Sequence, residues 1–83
     1  LAVELAKYNI QVNTVSPGFT NTKLTNGILS KKQIKELVSN VPMGRMADPA
    51  EIARIVMFLC SNQNTYITGQ NIIVDGGFSI TWK

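Results

Sequence analysis

Two short runs carry the β-branched composition of strands, and each is closed by a glycine-bearing turn. The first, residues 10–15, places Ile10, Val12, Thr14 and Val15 before Ser16-Pro17-Gly18. The second, residues 70–74, ends at Asp75-Gly76-Gly77. The stretch between them is far too long for a hairpin and carries helical patterns. This predicts a parallel pair joined by a helical crossover of right-handed sense. Two strands make a poor sheet by themselves, so the chain reads as α/β material whose apolar faces need further cover.

Helical signals fill the remaining stretches. Residues 1–7 look like the last two turns of a helix, with Tyr8-Asn9 as the stop, because Asn tolerates a left-handed C-terminal position. Ser30 and Gln33 make a capping-box pattern, followed at helical spacing by Ile34, Leu37, Val38 and Val41 up to Pro42. Asp48 and Glu51 make a second box, with Pro49 at the first helical position and an apolar stripe of Ile52, Ile55, Val56 and Leu59. Residues 17–27 read as a polar loop longer than an ordinary connection, which marks it as a candidate functional loop. The expected order is helix, strand, helix, helix, strand.

Composition narrows the function classes. With 45% hydrophobic and 16% charged residues among 83, the chain is core-forming material rather than a disordered tail. The net charge of +3 comes from scattered Lys and Arg without a basic stripe interleaved with aromatics, so no nucleic-acid partner is expected. The sequence has no His, which removes imidazole acid–base and metal chemistry. The one cysteine, Cys60, lies among apolar residues and reads as a buried thiol. No apolar run approaches the roughly 18 residues of a membrane span. The chain opens at Leu1, with neither a basic leader nor a signal-peptide apolar region. The expectation is a cytoplasmic protein, with the chain beginning inside an element.

Three runs carry a family likeness. Asn13-Thr14-Val15-Ser16-Pro17-Gly18-Phe19-Thr20-Asn21-Thr22 resembles the strand and Pro-Gly loop of the short-chain dehydrogenase/reductase family. Gly44-Arg45-Met46-Ala47-Asp48-Pro49-Ala50-Glu51-Ile52-Ala53 is similar to that family's connector into its last large helix. Tyr66-Ile67-Thr68-Gly69-Gln70, continuing to Val74-Asp75-Gly76-Gly77-Phe78, is similar to its last strand and glycine turn. The three stand in family order and cover essentially the whole chain. The likeness is to the classical members, such as 3-oxoacyl-acyl-carrier-protein reductases and sugar or polyol dehydrogenases.

The resemblance implies that residues 1–83 are the C-terminal portion of a single NAD(P)-binding Rossmann-type domain, part of a doubly wound parallel sheet and incomplete as a stand-alone domain. It implies NAD or NADP as cofactor, a small-molecule alcohol or carbonyl as substrate, and a homo-oligomer. Pro17 and Gly18 would flank the nicotinamide, the Thr20 backbone would bond its carboxamide, and the Thr22 hydroxyl would reach the carboxamide or the pyrophosphate. The family's phosphate loop and its catalytic Ser, Tyr and Lys would lie before Leu1. Four residues beyond Tyr8 stands Val12, and four beyond Tyr66 stands Gln70, so neither begins a Tyr-x-x-x-Lys pair. No residue here is therefore assigned a catalytic role. Ile34, Leu37 and Val38 would belong to a mobile substrate lid, or equally to ordinary helix packing. Arg45 would pair with a carboxylate or stay solvated, Asp75-Gly76-Gly77 reads as a turn, and Phe78 and Trp82 would pack against a partner subunit. The competing reading is a non-catalytic remnant that self-associates through its exposed sheet edge.

Overall fold

The computed structural model describes residues 1–81. In chain order it consists of α1 (Ala2–Ala6), β1 (Thr14–Pro17), α2 (Lys23–Ile28), α3 (Lys31–Ser39), α4 (Pro49–Leu59), β2 (Asn71–Val74) and a 3₁₀ turn (Phe78–Ile80). Trp82 lies outside the described residues. β1 and β2 pair in parallel, with Thr14, Val15, Ser16 and Pro17 opposite Asn71, Ile72, Ile73 and Val74. The α/β class and the parallel crossover are as the sequence predicts. The addition is α2, a six-residue helix that begins inside the segment read as a polar loop and ends one residue beyond it.

Local chemistry sets the helix boundaries. α1 ends where Asn9 takes a left-handed φ of 61°, letting the Ile10 N–H turn back to the Leu5 carbonyl at 3.3 Å. At α3, Ser30 Oγ accepts from the Gln33 N–H at 3.1 Å while Gln33 Oε1 accepts from the Ser30 N–H at 2.8 Å. At α4, Asp48 Oδ1 accepts from the Ala50 N–H at 2.9 Å and Glu51 Oε1 from the Asp48 N–H at 2.9 Å. Both predicted capping boxes are therefore closed.

β1 starts four residues later than its composition suggests, at Thr14 rather than residue 10. Side chains occupy the places where the ladder would otherwise continue. The Val12 N–H donates to Thr68 Oγ1 at 2.9 Å, and Asn13 Nδ2 donates to the Ile67 carbonyl at 2.9 Å. Asn13 Oδ1 accepts from the Gln70 N–H at 3.1 Å. Regular pairing then takes over as the Thr14 N–H donates to the Gln70 carbonyl at 2.8 Å. It closes with the Gly18 N–H on the Val74 carbonyl at 2.9 Å. Even-numbered residues of β1 thus face β2, and Pro17, which has no N–H to give, faces the open edge where none is required.

A buried asparagine ties α4 to the approach of β2. Asn64 is 5% exposed, and its Nδ2 donates to the carbonyls of Leu59 and Ile67, each at 3.1 Å. Its Oδ1 accepts from the Ile67 N–H at 2.9 Å. The apolar core is small: among the described residues only Val41 and Leu59 are buried, at 5% and 9% exposure. Leu24, Ile28, Met57, Ile73 and Ile80 are exposed. The radius of gyration, 15.6 Å, exceeds the roughly 12 Å of a compact domain this long. Cys60, expected to be buried, is exposed. It follows Leu59, the inward residue of α4, and a turn of about 100° per residue carries it off that face.

Candidate functional site

The two strands run parallel, so both glycine turns emerge at the same, carboxyl end of the sheet. There the chain after β1 lies directly against the chain after β2. A Cβ built on Gly18 would sit 2.7 Å from Asp75 Cβ and 2.8 Å from Asp75 Cα, so only glycine fits. Beyond this contact Phe19 and Phe78 meet edge to face, centroids 5.1 Å apart at 73°. Pro17, Gly18, Phe19, Ile73, Asp75 and Phe78 line an open cleft of about 420 Å³.

Past the cleft the loop is pinned at one point. Thr20 forms an isolated parallel bridge with Ala47. In it the Ala47 N–H donates to the Phe19 carbonyl at 2.8 Å and the Asn21 N–H donates to the Ala47 carbonyl at 2.9 Å. This geometry uses the peptide groups on either side of Thr20 and turns Thr20's own N–H and C=O away. Among the described residues neither has a hydrogen-bond partner. Its side chain is folded back, Oγ1 donating to the Gly18 carbonyl at 3.0 Å. A half-buried residue thus presents one backbone donor and one acceptor side by side.

Thr22 has a different task. As N-cap of α2 its Oγ1 accepts from the Thr25 N–H at 3.1 Å and shares a 3.0 Å hydrogen bond with Thr25 Oγ1. Of the four residues singled out in the sequence, Pro17 and Gly18 line the cleft, Thr20 stands next to it, and Thr22 is spent largely on starting α2. Asp75 is a residue the sequence reading left as mere turn material. Its Oδ2 accepts from the Ser79 N–H at 2.8 Å and its Oδ1 from the Gly77 N–H at 3.0 Å. These bonds, the one from Ser79 above all, hold its carboxyl below the usual carboxylate range. The legible signal was an Asp followed by two glycines, the pattern of a side chain that caps its own turn.

α3 reaches this region through its C-terminal end. Val41 packs so closely on the second turn that a Cβ on Gly76, whose φ is +62°, would meet Val41 Cγ1 at 2.9 Å. A broader cavity of about 660 Å³ lies between Asn40, Val41 and Pro42 on one side and Phe78 and Thr81 on the other. Phe78 lines both spaces. Ile34, Leu37 and Val38 share one half-buried face of α3.

Arg45 is paired. Its Nη1 and Nη2 donate to Glu51 Oε1 and Oε2 at 2.7 and 2.9 Å, a two-pronged contact beside the α4 cap. The Arg45 hydrogen bond, reinforced by the Asp48 N–H, lowers the Glu51 carboxyl to about 2. A carboxyl with a depressed folded-state value stabilises the fold above its ordinary value of 4.5 and loses that contribution as pH falls toward about 2. Urea midpoints measured across this acid window should therefore fall for the native chain. They should fall less for Glu51→Gln, whose remaining slope comes from Asp75.

Residues 1–79 match the family model described as enoyl-(acyl carrier protein) reductase. A 3-oxoacyl-[acyl-carrier-protein] reductase of Chlamydia muridarum is 47% identical over 79 residues, 95% of this chain and 32% of that protein. A ribulose-forming D-arabinitol 2-dehydrogenase of Candida tropicalis is 46% identical over 81 residues, 94% of this chain and 29% of that protein. In the solved structure of a short chain dehydrogenase family protein from Francisella tularensis, the match has a TM-score of 0.86 at 40% identity, covering 98% of this chain and 38% of that one. The chain thus spans less than 40% of the length of these relatives. With its parallel strands, paired glycine turns and crossover helices matched from end to end, the chain belongs to the short-chain dehydrogenase/reductase family.

Proposed function

We propose that residues 1–83 are the C-terminal portion of a single Rossmann-type domain in a cytoplasmic NAD(P)-dependent oxidoreductase that interconverts an alcohol and a carbonyl. They would supply the nicotinamide side of the cofactor site. The observation that carries this reading is Thr20, whose backbone N–H and C=O have no partner among the described residues, beside the glycine contact at the carboxyl end of the sheet. A nicotinamide carboxamide offers one carbonyl and one NH₂, the complement of that pair. Pro17 and Gly18 offer a rigid, side-chain-poor wall for a flat ring. The fit extends to either NAD or NADP, since these residues would meet only the nicotinamide end. When bound, the nicotinamide supplies or accepts hydride.

The chain's own residues would then do positioning work. Thr20 would set the ring's orientation, Gly18 would let the two turns close behind it, and the Thr22 hydroxyl has at most one further bond to give to the carboxamide or pyrophosphate. Holding one ring face toward the substrate is a large part of catalysis in a hydride transfer. The substrate would be a small alcohol or carbonyl compound, received where α3 and Phe78 border the second cavity, with Ile34, Leu37 and Val38 in the lid. In titrations of the chain with reduced nicotinamide dinucleotide, the Thr20 amide should shift most. Shifts confined to other segments, with Thr20 unmoved, would overturn the assignment. These 83 residues contain no Tyr-x-x-x-Lys pair, so the chain by itself should oxidise no reduced cofactor in the presence of a 3-oxoacyl or ketose substrate. Measurable turnover would contradict this.

The exposed apolar side chains on β2 and the 3₁₀ turn, Ile73 and Ile80 among them, favour a second reading beside the first. The chain would self-associate through its sheet edge and apolar faces, as a homo-oligomer or a non-catalytic module. A compact monomer in sedimentation would count against it.

A further inference from the structure

We propose that Asn26 is a site of spontaneous covalent modification, gated by the opening of α2. Asn26 is the one asparagine in the sequence that is followed by glycine. The Gly27 backbone nitrogen attacks the Asn26 side-chain carbonyl carbon. A C–N bond forms, the C–NH₂ bond breaks, and ammonia leaves with the proton lost from the Gly27 nitrogen. The resulting succinimide is opened by water at one of its two carbonyls, giving aspartate or isoaspartate. No oxidant or enzyme is required.

Three observations place this chemistry here. Asn26 and Gly27 are both exposed. Gly27 carries no side chain to crowd its own nitrogen, and a Cβ built there would meet nothing within 4 Å beyond its chain neighbours and its own helix backbone. The helix that holds Gly27 is also marginal: six residues, no buried side chain, and a glycine in its interior. While α2 is formed its backbone conformation holds the Gly27 nitrogen away from the side chain. Opening such a short, exposed turn takes little free energy and releases it. The gate is the Thr22 cap, whose Oγ1 accepts from the Thr25 N–H at 3.1 Å.

The modification would alter the loop that leads into α2. Asn26 Nδ2 donates to Asn21 Oδ1 at 2.7 Å, and the Asn21 N–H in turn holds the Ala47 carbonyl at 2.9 Å. Aspartate has no N–H to give to Asn21 and brings a negative charge. Isoaspartate inserts a methylene into the main chain between residues 26 and 27, breaking the register of the Leu29 N–H on the Thr25 carbonyl, now 3.0 Å. An aged chain therefore loses the side-chain bond to Asn21, and in its isoaspartyl form the last turn of α2 as well. Weaker cofactor binding would follow from this only on the reading of Thr20 given above, whereas the modification itself does not depend on that reading.

The test is peptide mapping by mass and isoaspartyl content after incubation of the full chain at mildly alkaline pH. Acidic product should accumulate first at Asn26, ahead of the exposed Asn62. Thr22→Ala should convert about fivefold faster, the change in open population expected from losing an N-cap. Gly27→Ala should suppress conversion. Conversion at Asn26 no faster than at Asn62 would overturn the site, and an unchanged rate in Thr22→Ala would overturn the gate. Because the readout is the covalent product, failure of the cofactor assignment leaves this result unaffected.

Discussion

Gly18→Ala should lower the chain's urea midpoint and pull the carboxyl ends of β1 and β2 apart, whereas Gly27→Ala should leave the midpoint unchanged or raise it. The two substitutions add the same methyl group. At Gly18 it would arrive 2.7 Å from Asp75 Cβ and 2.8 Å from Asp75 Cα, and a backbone atom cannot swing aside like a flexible side-chain end. Overpacking of this kind costs about 1–3 kcal/mol. At Gly27 the methyl points into open space, and alanine in a helix interior gains about 0.5–1 kcal/mol over glycine. Gly18 does not have a positive φ, so the contrast isolates close approach from backbone strain. Equal midpoints for the two variants would show that the turns do not touch. The loss at Gly18 should also abolish any shift of the Thr20 amide on adding cofactor, since the wall beside Thr20 is the part displaced.

Asn64→Ala should be the second large effect. It removes both donor bonds and the acceptor bond of a side chain that is 5% exposed. The Ile67 carbonyl keeps Asn13 Nδ2 at 2.9 Å, which leaves the Ile67 N–H and the Leu59 carbonyl unpaired. Each orphaned buried group costs about 1–3 kcal/mol. Water reaching this partly open loop recovers some of that, and a loss of about 2 kcal/mol is expected from urea unfolding. Asn64→Asp provides a sharper check. Its carboxylate still accepts from Ile67 but has no hydrogens for Leu59, and burial raises its pKa. This variant should therefore regain stability on mild acidification, when one oxygen carries a proton to donate. The native chain lacks that response at this position.

How much of this was legible before the structure depends on the range of the interaction. The α3 and α4 boundaries were readable because Ser30 with Gln33 and Asp48 with Glu51 act across one turn of their own helices. Asn9 was readable as a helix stop for the same reason. The start of β1 was not, because Val12 and Asn13 find Thr68, Ile67 and Gln70, partners more than fifty residues away. Nor was α2: a Thr cap followed by Asn and Gly looks like loop composition, and the helix starts just after the bridge of Thr20 to Ala47 with Thr22 as its cap. Cys60 was misjudged because apolar neighbours in sequence need not be neighbours in space.

The candidate site divides along the same line. Pro17 and Gly18 announce a constrained loop through their own conformational chemistry, and the family likeness attaches them to a cofactor. The strand pattern, the capped crossover and the parallel sense were likewise set by the order of residues, since periodicity and caps are properties of nearby side chains. Tertiary structure alone decided that Gly18 must be glycine on account of Asp75, and that among the described residues Thr20 keeps its backbone groups free because Ala47 binds the peptides on either side. It also decided that, among the described residues, only Val41 and Leu59 form a buried apolar core. Each of these is a contact between distant segments, and a contact of that kind exists only once the chain has brought its two strands side by side.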